Sequence, residues 1–154
     1  MAAENKFSKL KLLFADSIMT EKVHVIKKNT MIGQVAHLML RERVSAYPVV
    51  DENGSVTGLV TLTDLFALID EIVNESGAVG SEADLEAKIA EVKNKPVAAI
   101  MTKDVLAVSP ETPVDEIIRA VVKHNIHTFP VMKDNKLIGI IGRHDLLNEV
   151  FVYG

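Results

Sequence analysis

The chain has 154 residues, a net charge of −4 with both signs interspersed, 48% hydrophobic and 25% charged residues, and no cysteine. That is apolar side chain enough for one compact domain or two tightly paired halves, and it excludes disulfides, thiolate metal sites and cysteine nucleophiles. The acidic balance argues against non-specific binding to nucleic acid or anionic membranes, which calls for a basic face.

No apolar run approaches the roughly 20 residues of a membrane span. Met1 to Lys6 lack the apolar core of a signal peptide, so a cytoplasmic location is expected. Phe7, Leu10, Leu13 and Phe14 fall at helical spacing and predict a short amphipathic helix over Asn5 to Ala15. Asp16 to Met19 reads as a capped single turn, and Val23 to Ile26 as a short strand. Asn29-Thr30 then caps a helix whose apolar side is Ile32, Val35, Ala36, Leu38, Met39 and Leu40. Pro48 removes a ladder donor, so Tyr47-Pro48-Val49-Val50 begins a strand at that point. Asp51 to Ser55 is a hairpin turn with Gly54 for the left-handed position. Val56 to Thr61 pairs back, and a helix follows from about Thr63 to Ser76.

Gly77 to Ser81 is a flexible break, and Ser81-x-x-Asp84 resembles a capping box opening a polar helix to about Lys93. Pro96 to Met101 is another turn. Beyond it, Val105 to Val108 reads as a strand and Pro113 to Lys123 as a helix with Val114, Ile117, Ile118, Val121 and Val122 inward. Val131 to Lys133 and Leu137 to Ile141 form a hairpin around Asp134-Asn135, and a last helix covers about Arg143 to Phe151.

The second half repeats the first. Ile18-Met19-Thr20 returns as Ile100-Met101-Thr102, an offset of 82 that also takes Val23 to Val105, Thr30 to Thr112 and Tyr47-Pro48-Val49 to Phe129-Pro130-Val131. Gly58 and Asp64 return as Gly139 and Asp145, one residue earlier. A fixed period with matching punctuation marks a duplicated unit. Each copy reads strand, helix, strand, strand, helix.

The densest point of each copy is the junction of its last strand and last helix: Gly58 to Asp64, and Gly139 to Asp145. A strand running into a helix N-terminus offers unpaired N–H groups and the positive end of a dipole, where a phosphate is a natural guest. Thr61 has a hydroxyl to give it, and Asp64 can accept two hydrogen bonds from a ribose diol. Equally, Thr61, Thr63 and Asp64 serve as helix caps.

With Ile-Met-Thr opening each copy, Tyr/Phe-Pro-Val at the second strand and Gly-x-x-x-x-x-Asp at the junction, the chain resembles a tandem pair of cystathionine-β-synthase (CBS) domains, a Bateman module, over about Asp16 to Tyr153. The resemblance implies an α/β fold of the α+β kind, with two β-α-β-β-α repeats packed by pseudo-two-fold symmetry. Its divisions are residues 1–15 (N-terminal helix), 16–76 (repeat 1), 77–95 (linker helix) and 96–154 (repeat 2). It implies two clefts for adenosine-containing ligands, homodimerisation, and a stand-alone regulatory module acting on an unknown partner protein.

Carried over position by position, the first cleft would use Thr20, Val23, Ala46, Tyr47, Pro48, Thr61 and Asp64. Thr61 would meet the phosphate and Asp64 the ribose. Backbone near Thr20 and at Ala46-Tyr47 would face adenine, with Val23 and Pro48 as walls. The second cleft would use Thr102, Val105, His127, Thr128, Phe129, Pro130, Arg143, His144 and Asp145. Gly142 stands there where the family has Ser or Thr, and His127, Arg143 and His144 would supply positive charge instead.

The remaining features have plainer readings. His124 and His127 lack a third ligand for zinc. Met19 and Met101 read as core plugs. Arg41, Arg43 and Lys123 read as solvated helix ends. Tyr47 and Phe129 either stack on a base or fill the core. The expected function is a sensor binding AMP, ADP, ATP or S-adenosylmethionine that signals by conformational change. The alternative is an interaction module with degenerate clefts, which Gly142 favours. No nucleophile–base–orienter set, Gly-rich phosphate loop with a Lys, or metal triad is present in the sequence, so neither an enzyme nor a catalytic cofactor is expected.

Overall fold

The computed structural model describes residues 10–76 and 82–152. Of the helix expected over Asn5 to Ala15, residues 5–9 lie outside them; Leu10 and Lys11 are helical, but the helix does not run on to Ala15, because Leu12 is a bend and Phe14 bridges Pro113. The break from Gly77 to Ser81 lies wholly outside. The elements are α1 (Ala15–Ile18), β1 (Ile26–Lys27), α2 (Ile32–Glu42), β2 (Ala46–Val50), β3 (Val56–Thr61), α3 (Leu62–Ser76), α4 (Glu82–Lys93), a 3-10 turn (Val97–Ala99), α5 (Val114–His124), β4 (Thr128–Lys133), β5 (Lys136–Gly142) and α6 (Arg143–Phe151). Among the described residues no helix is long and apolar enough to cross a membrane.

Two compact units form, and their limits cross the repeat boundaries. Of the described residues, one contains 24–52, 56–76 and 82–104; the other contains 10–23, 53–55 and 105–152. We call them the Asp64 unit and the Asp145 unit. Each is thus completed by the segment that opens the other repeat: Pro96 to Asp104 belong to the Asp64 unit, and Asp16 to Val23 to the Asp145 unit.

In the Asp64 unit, β1 runs parallel to β2, and β2 pairs antiparallel with β3. The register sets Ala46 opposite Thr61 and Val49 opposite Gly58. All five residues of β2 are buried. Pro48 fits there because its only ladder partner is Leu59 on β3, while β1 reaches only Val49 and Val50. α2 buries Ile32, Val35 and Met39, and the last two join the core of Ile26, Tyr47, Val49, Val60 and Val97. Beyond the opposite edge of β3, Thr102 bridges Leu59 through paired bonds: Leu59 N–H to the Thr102 carbonyl at 2.8 Å, and Thr102 N–H to the Leu59 carbonyl at 2.7 Å.

In the Asp145 unit, β4 and β5 form a hairpin whose turn residues Asp134 and Asn135 both have left-handed backbone, with φ of 53° and 62°. That is the primed turn whose twist matches the flanking strands. Val114, Ile117, Phe129, Val131, Ile141 and Leu146 form the core with Ala15. Thr20 repeats the edge bridge, with bonds of 2.9 and 3.0 Å to Ile140.

Two expected strands shrink. The first copy's opening strand is only Ile26–Lys27. In the second copy, Val105 to Val108 gives a single bridge, Val108 to Val131. Directly after it, Ser109 N–H donates to Thr112 Oγ1 at 3.0 Å around Pro110, and that side-chain turn redirects the chain before a ladder can grow. α2 and α5 both end on a left-handed residue, Arg43 and Asn125, at equivalent places in the two copies.

Candidate functional site

The two strand-to-helix junctions are built alike. In the Asp64 unit, Thr61 N–H donates to Asp64 Oδ2 at 2.9 Å, and Asp64 N–H donates back to Thr61 Oγ1 at 3.1 Å. This reciprocal pair caps α3 and follows from the Thr-x-x-Asp spacing. The second oxygen, Asp64 Oδ1, accepts the Thr102 hydroxyl at 2.9 Å. In the Asp145 unit, Gly142 N–H donates to Asp145 Oδ2 at 2.8 Å, and Thr20 Oγ1 donates to Asp145 Oδ1 at 3.3 Å. Gly142 has no hydroxyl to return, so this cap is half of the other. The space for one is there, since a Cβ on Gly142 would meet nothing nearer than Asp145 Oδ2 at 3.8 Å.

The structure regroups the expected site residues. Thr20, expected beside Asp64, contacts Asp145 instead, and it is Thr102 that contacts Asp64. The reason is the edge bridge, which lays each Ile-Met-Thr segment on the last strand of the other repeat. Of the two readings of Tyr47 and Phe129, the structure places both in the core, with exposures of 2% and 0%. Pro48 and Pro130 are likewise fully buried, so Pro48 presents no side-chain wall to a ligand. Ala46 is buried, Val23, Val105 and Thr128 are half-buried, and Thr20, Thr102, His127, Arg143 and His144 are exposed. Ala46 is paired with Thr61, and Thr128 with Gly142, so each second strand begins beside its junction. His127 Nε2 lies 2.9 Å from Asn125 Oδ1.

A cluster that the sequence reading missed lies next to Ala46. Tyr47 Oη donates to Glu42 Oε2 at 2.7 Å, and His24 Nδ1 lies 2.6 Å from Glu42 Oε1. The Tyr47 hydroxyl holds the Glu42 carboxyl below its ordinary value, with His24 adding to the effect. Burial, and then Glu42, push the Tyr47 hydroxyl far above the usual phenol range. No motif in the sequence marks it, because it arises from strand register: Ile26 pairs with Val49 in parallel, which carries His24 alongside Tyr47. The second copy has Leu106, His124 and Phe129 at these places, so the cluster is peculiar to the Asp64 unit. Because the folded Glu42 value is depressed, its contribution to stability is present above the ordinary carboxyl value of about 4.3 and is lost as pH falls through the folded value. Thermal melts from pH 7 to pH 3 should therefore show a smaller acid-induced loss of Tm for Glu42→Gln than for wild type. Parallel curves would count against the cluster.

The CBS domain pattern matches residues 15–71 and 97–152. A homoserine O-acetyltransferase of Methanococcoides burtonii is 32% identical over 130 residues, which is 84% of this chain and 22% of that protein. The CBS domain-containing protein CBSX1 of Arabidopsis thaliana is 28% identical over 139 residues, 82% of this chain and 58% of that one. The chain thus spans about a fifth of the first relative and just over half of the second. Among solved structures, CBSX2 in complex with AMP superposes with a TM-score of 0.70 at 27% identity, covering 88% of this chain and 94% of that one. The CBS domain of a membrane protein from Sphaerobacter thermophilus gives 0.75 at 28% identity, covering 96% and 93%. With both repeats matched and the two junctions built alike, the chain belongs to the CBS domain family.

Proposed function

We propose that this chain is a regulatory, non-catalytic module that binds an adenine nucleotide, with AMP as the first ligand to try. The observation carrying the reading is the junction itself: a first-turn carboxylate at a helix N-terminus, beside the start of a buried strand, formed twice. In this reading Asp64 and Asp145 take the ribose hydroxyls, and Thr61 and the N-terminus of α3 take the phosphate. In the second site Arg143 and His144 bring positive charge in place of the missing hydroxyl. Adenine meets backbone at Ala46 and Thr128. The complex of CBSX2 with AMP supports the choice of ligand, and the generally regulatory character of CBS pairs supports the absence of chemistry. The ligand acts by its differential affinity for two conformations, which a partner protein reads.

Calorimetric titration of AMP into wild type, Asp64→Ala and Asp145→Ala tests this. Loss of two charge-assisted hydrogen bonds should cost about 1.5–3 kcal/mol, roughly ten- to a hundredfold in Kd, at the mutated site only. Each variant also gives up a cap, at about 1 kcal/mol of stability, so a melt accompanies each titration. Unchanged affinity in a folded Asp64→Ala would reduce Asp64 to a cap. The second reading, an interaction module without ligand, rests on Gly142; it predicts no heat from wild type.

A further inference from the structure

We propose that Thr102 and Thr20 are the positioning residues of the two nucleotide sites: each hydroxyl, delivered by the segment that opens the other repeat, fixes a junction carboxylate so that it can receive a ribose diol. The inference rests on the nucleotide reading and gives these two threonines a defined role in it, each serving the site of the repeat it does not belong to.

A carboxylate offers about four acceptor positions, two on each oxygen. In Asp64, Oδ2 is engaged by Thr61 N–H at 2.9 Å and Oδ1 by the Thr102 hydroxyl at 2.9 Å. One position is left on each oxygen, and a vicinal diol has two donors to fill them. The terminal torsion of an aspartate is broad. A bond to one oxygen alone leaves the other free to swing, and a second bond from a fixed direction stops it. Thr102 supplies that direction because its backbone is pinned at both ends of the Leu59 bridge. Gly58 is what lets the bridge come so close: a Cβ there would sit 2.8 Å from the Thr102 carbonyl oxygen.

The other unit repeats the bridge and both bonds to the carboxylate. Gly142 N–H holds Asp145 Oδ2, Thr20 reaches Oδ1, Thr20 is bridged to Ile140, and Gly139 makes room for Met19. The contact thus forms twice, by residues 82 apart in sequence. Both threonines are exposed, so their hydroxyls add little to stability. The Thr20 bond is longer, 3.3 against 2.9 Å, and the Asp145 cap lacks its return bond, so the Asp64 site is the better preorganised of the two.

The test titrates AMP and 2′-deoxy-AMP into the wild-type 154-residue chain, Thr102→Val and Thr102→Ser, with a melt of each. Thr102→Val should weaken AMP at the Asp64 site on the order of tenfold, as loss of an orienting partner does at other ligand sites. It should weaken 2′-deoxy-AMP less, because that ligand lacks one donor, and leave Tm unchanged. Thr102→Ser should restore wild-type binding. Wild-type AMP affinity in Thr102→Val, or equal losses for both ligands, would overturn the positioning role while leaving nucleotide binding intact. Absence of AMP binding by wild type and all variants alike would overturn the nucleotide reading, and the inference with it.

Discussion

Gly58→Ala is expected to destabilise the Asp64 unit by about 2–3 kcal/mol, the cost of forcing a methyl into a packed site that cannot yield. The backbone of Gly58 does not need glycine for its torsions, since Gly54 is the glycine with positive φ among those described. The reason for glycine is close approach. The added Cβ would lie 2.8 Å from the Thr102 carbonyl oxygen and 3.0 Å from Met101 Sδ. A thioether can rotate away. The carbonyl cannot, because Leu59 N–H holds it at 2.8 Å. The bridge must open, and Thr102 must retreat from Asp64. One substitution should therefore lower the midpoint of chemical denaturation and weaken AMP at the same site. Gly139→Ala is the milder counterpart, because the atoms met first there are Sδ and Cγ of Met19, at 2.5 and 2.8 Å. A Gly58→Ala chain that denatures like wild type would show that the bridge is not held in solution.

The second large effect is in the other core. Phe129→Ala should cost about 3–5 kcal/mol, the range for a buried aromatic truncated to a methyl. Phe129 is 0% exposed and packs with Val114, Ile117, Val131, Ile141 and Leu146. Its neighbours come from two strands and two helices, so no single element can collapse into the void. Against a typical total of about 5–15 kcal/mol, the loss would leave this unit marginal at 37 °C. Val122→Ala is the matched control: Val122 lies on the same unit's α5 and, against the inward position its apolar character suggests, is 82% exposed, so the change should alter stability by no more than about 0.5 kcal/mol. Urea denaturation of the two variants reads both, and similar midpoints would contradict the burial of Phe129.

The features legible in the sequence share a short range. Thr61 and Asp64 announce their cap because both partners sit within one turn. Asp134-Asn135 announces its hairpin because the primed turn selects those residue types. α6 begins and ends where the pattern says, at Arg143 and Phe151. What stayed hidden depends on distant partners. Matching equivalent positions in the repeats groups Thr20 with its own copy, whereas the bridge joins it to Ile140 in the other. Nothing in the spacing of Ile-Met-Thr says which strand edge is open to receive it. The strand at Val105 fails because a side-chain turn at Ser109 ends it, a contest between local and ladder hydrogen bonds that residue propensities leave undecided. Tyr47 beside Pro48 fits a base-stacking or a core role equally, and only its packing against Val35, Met39 and Val60 in the folded unit decides for the core.

The exchange of opening segments also sets an order on assembly. Thr102 and Asp64 are 38 residues apart along the chain, whereas Thr20 and Asp145 are 125 apart. Loop-closure entropy grows with the logarithm of the span, which makes the longer closure costlier by about 1 kcal/mol. Contacts of long sequence separation are also the slow ones to form. The carboxylate of the first repeat can acquire its hydroxyl while the rest of the chain is still searching. That of the second waits for the N-terminal segment to come home, so the two otherwise similar sites mature at different times.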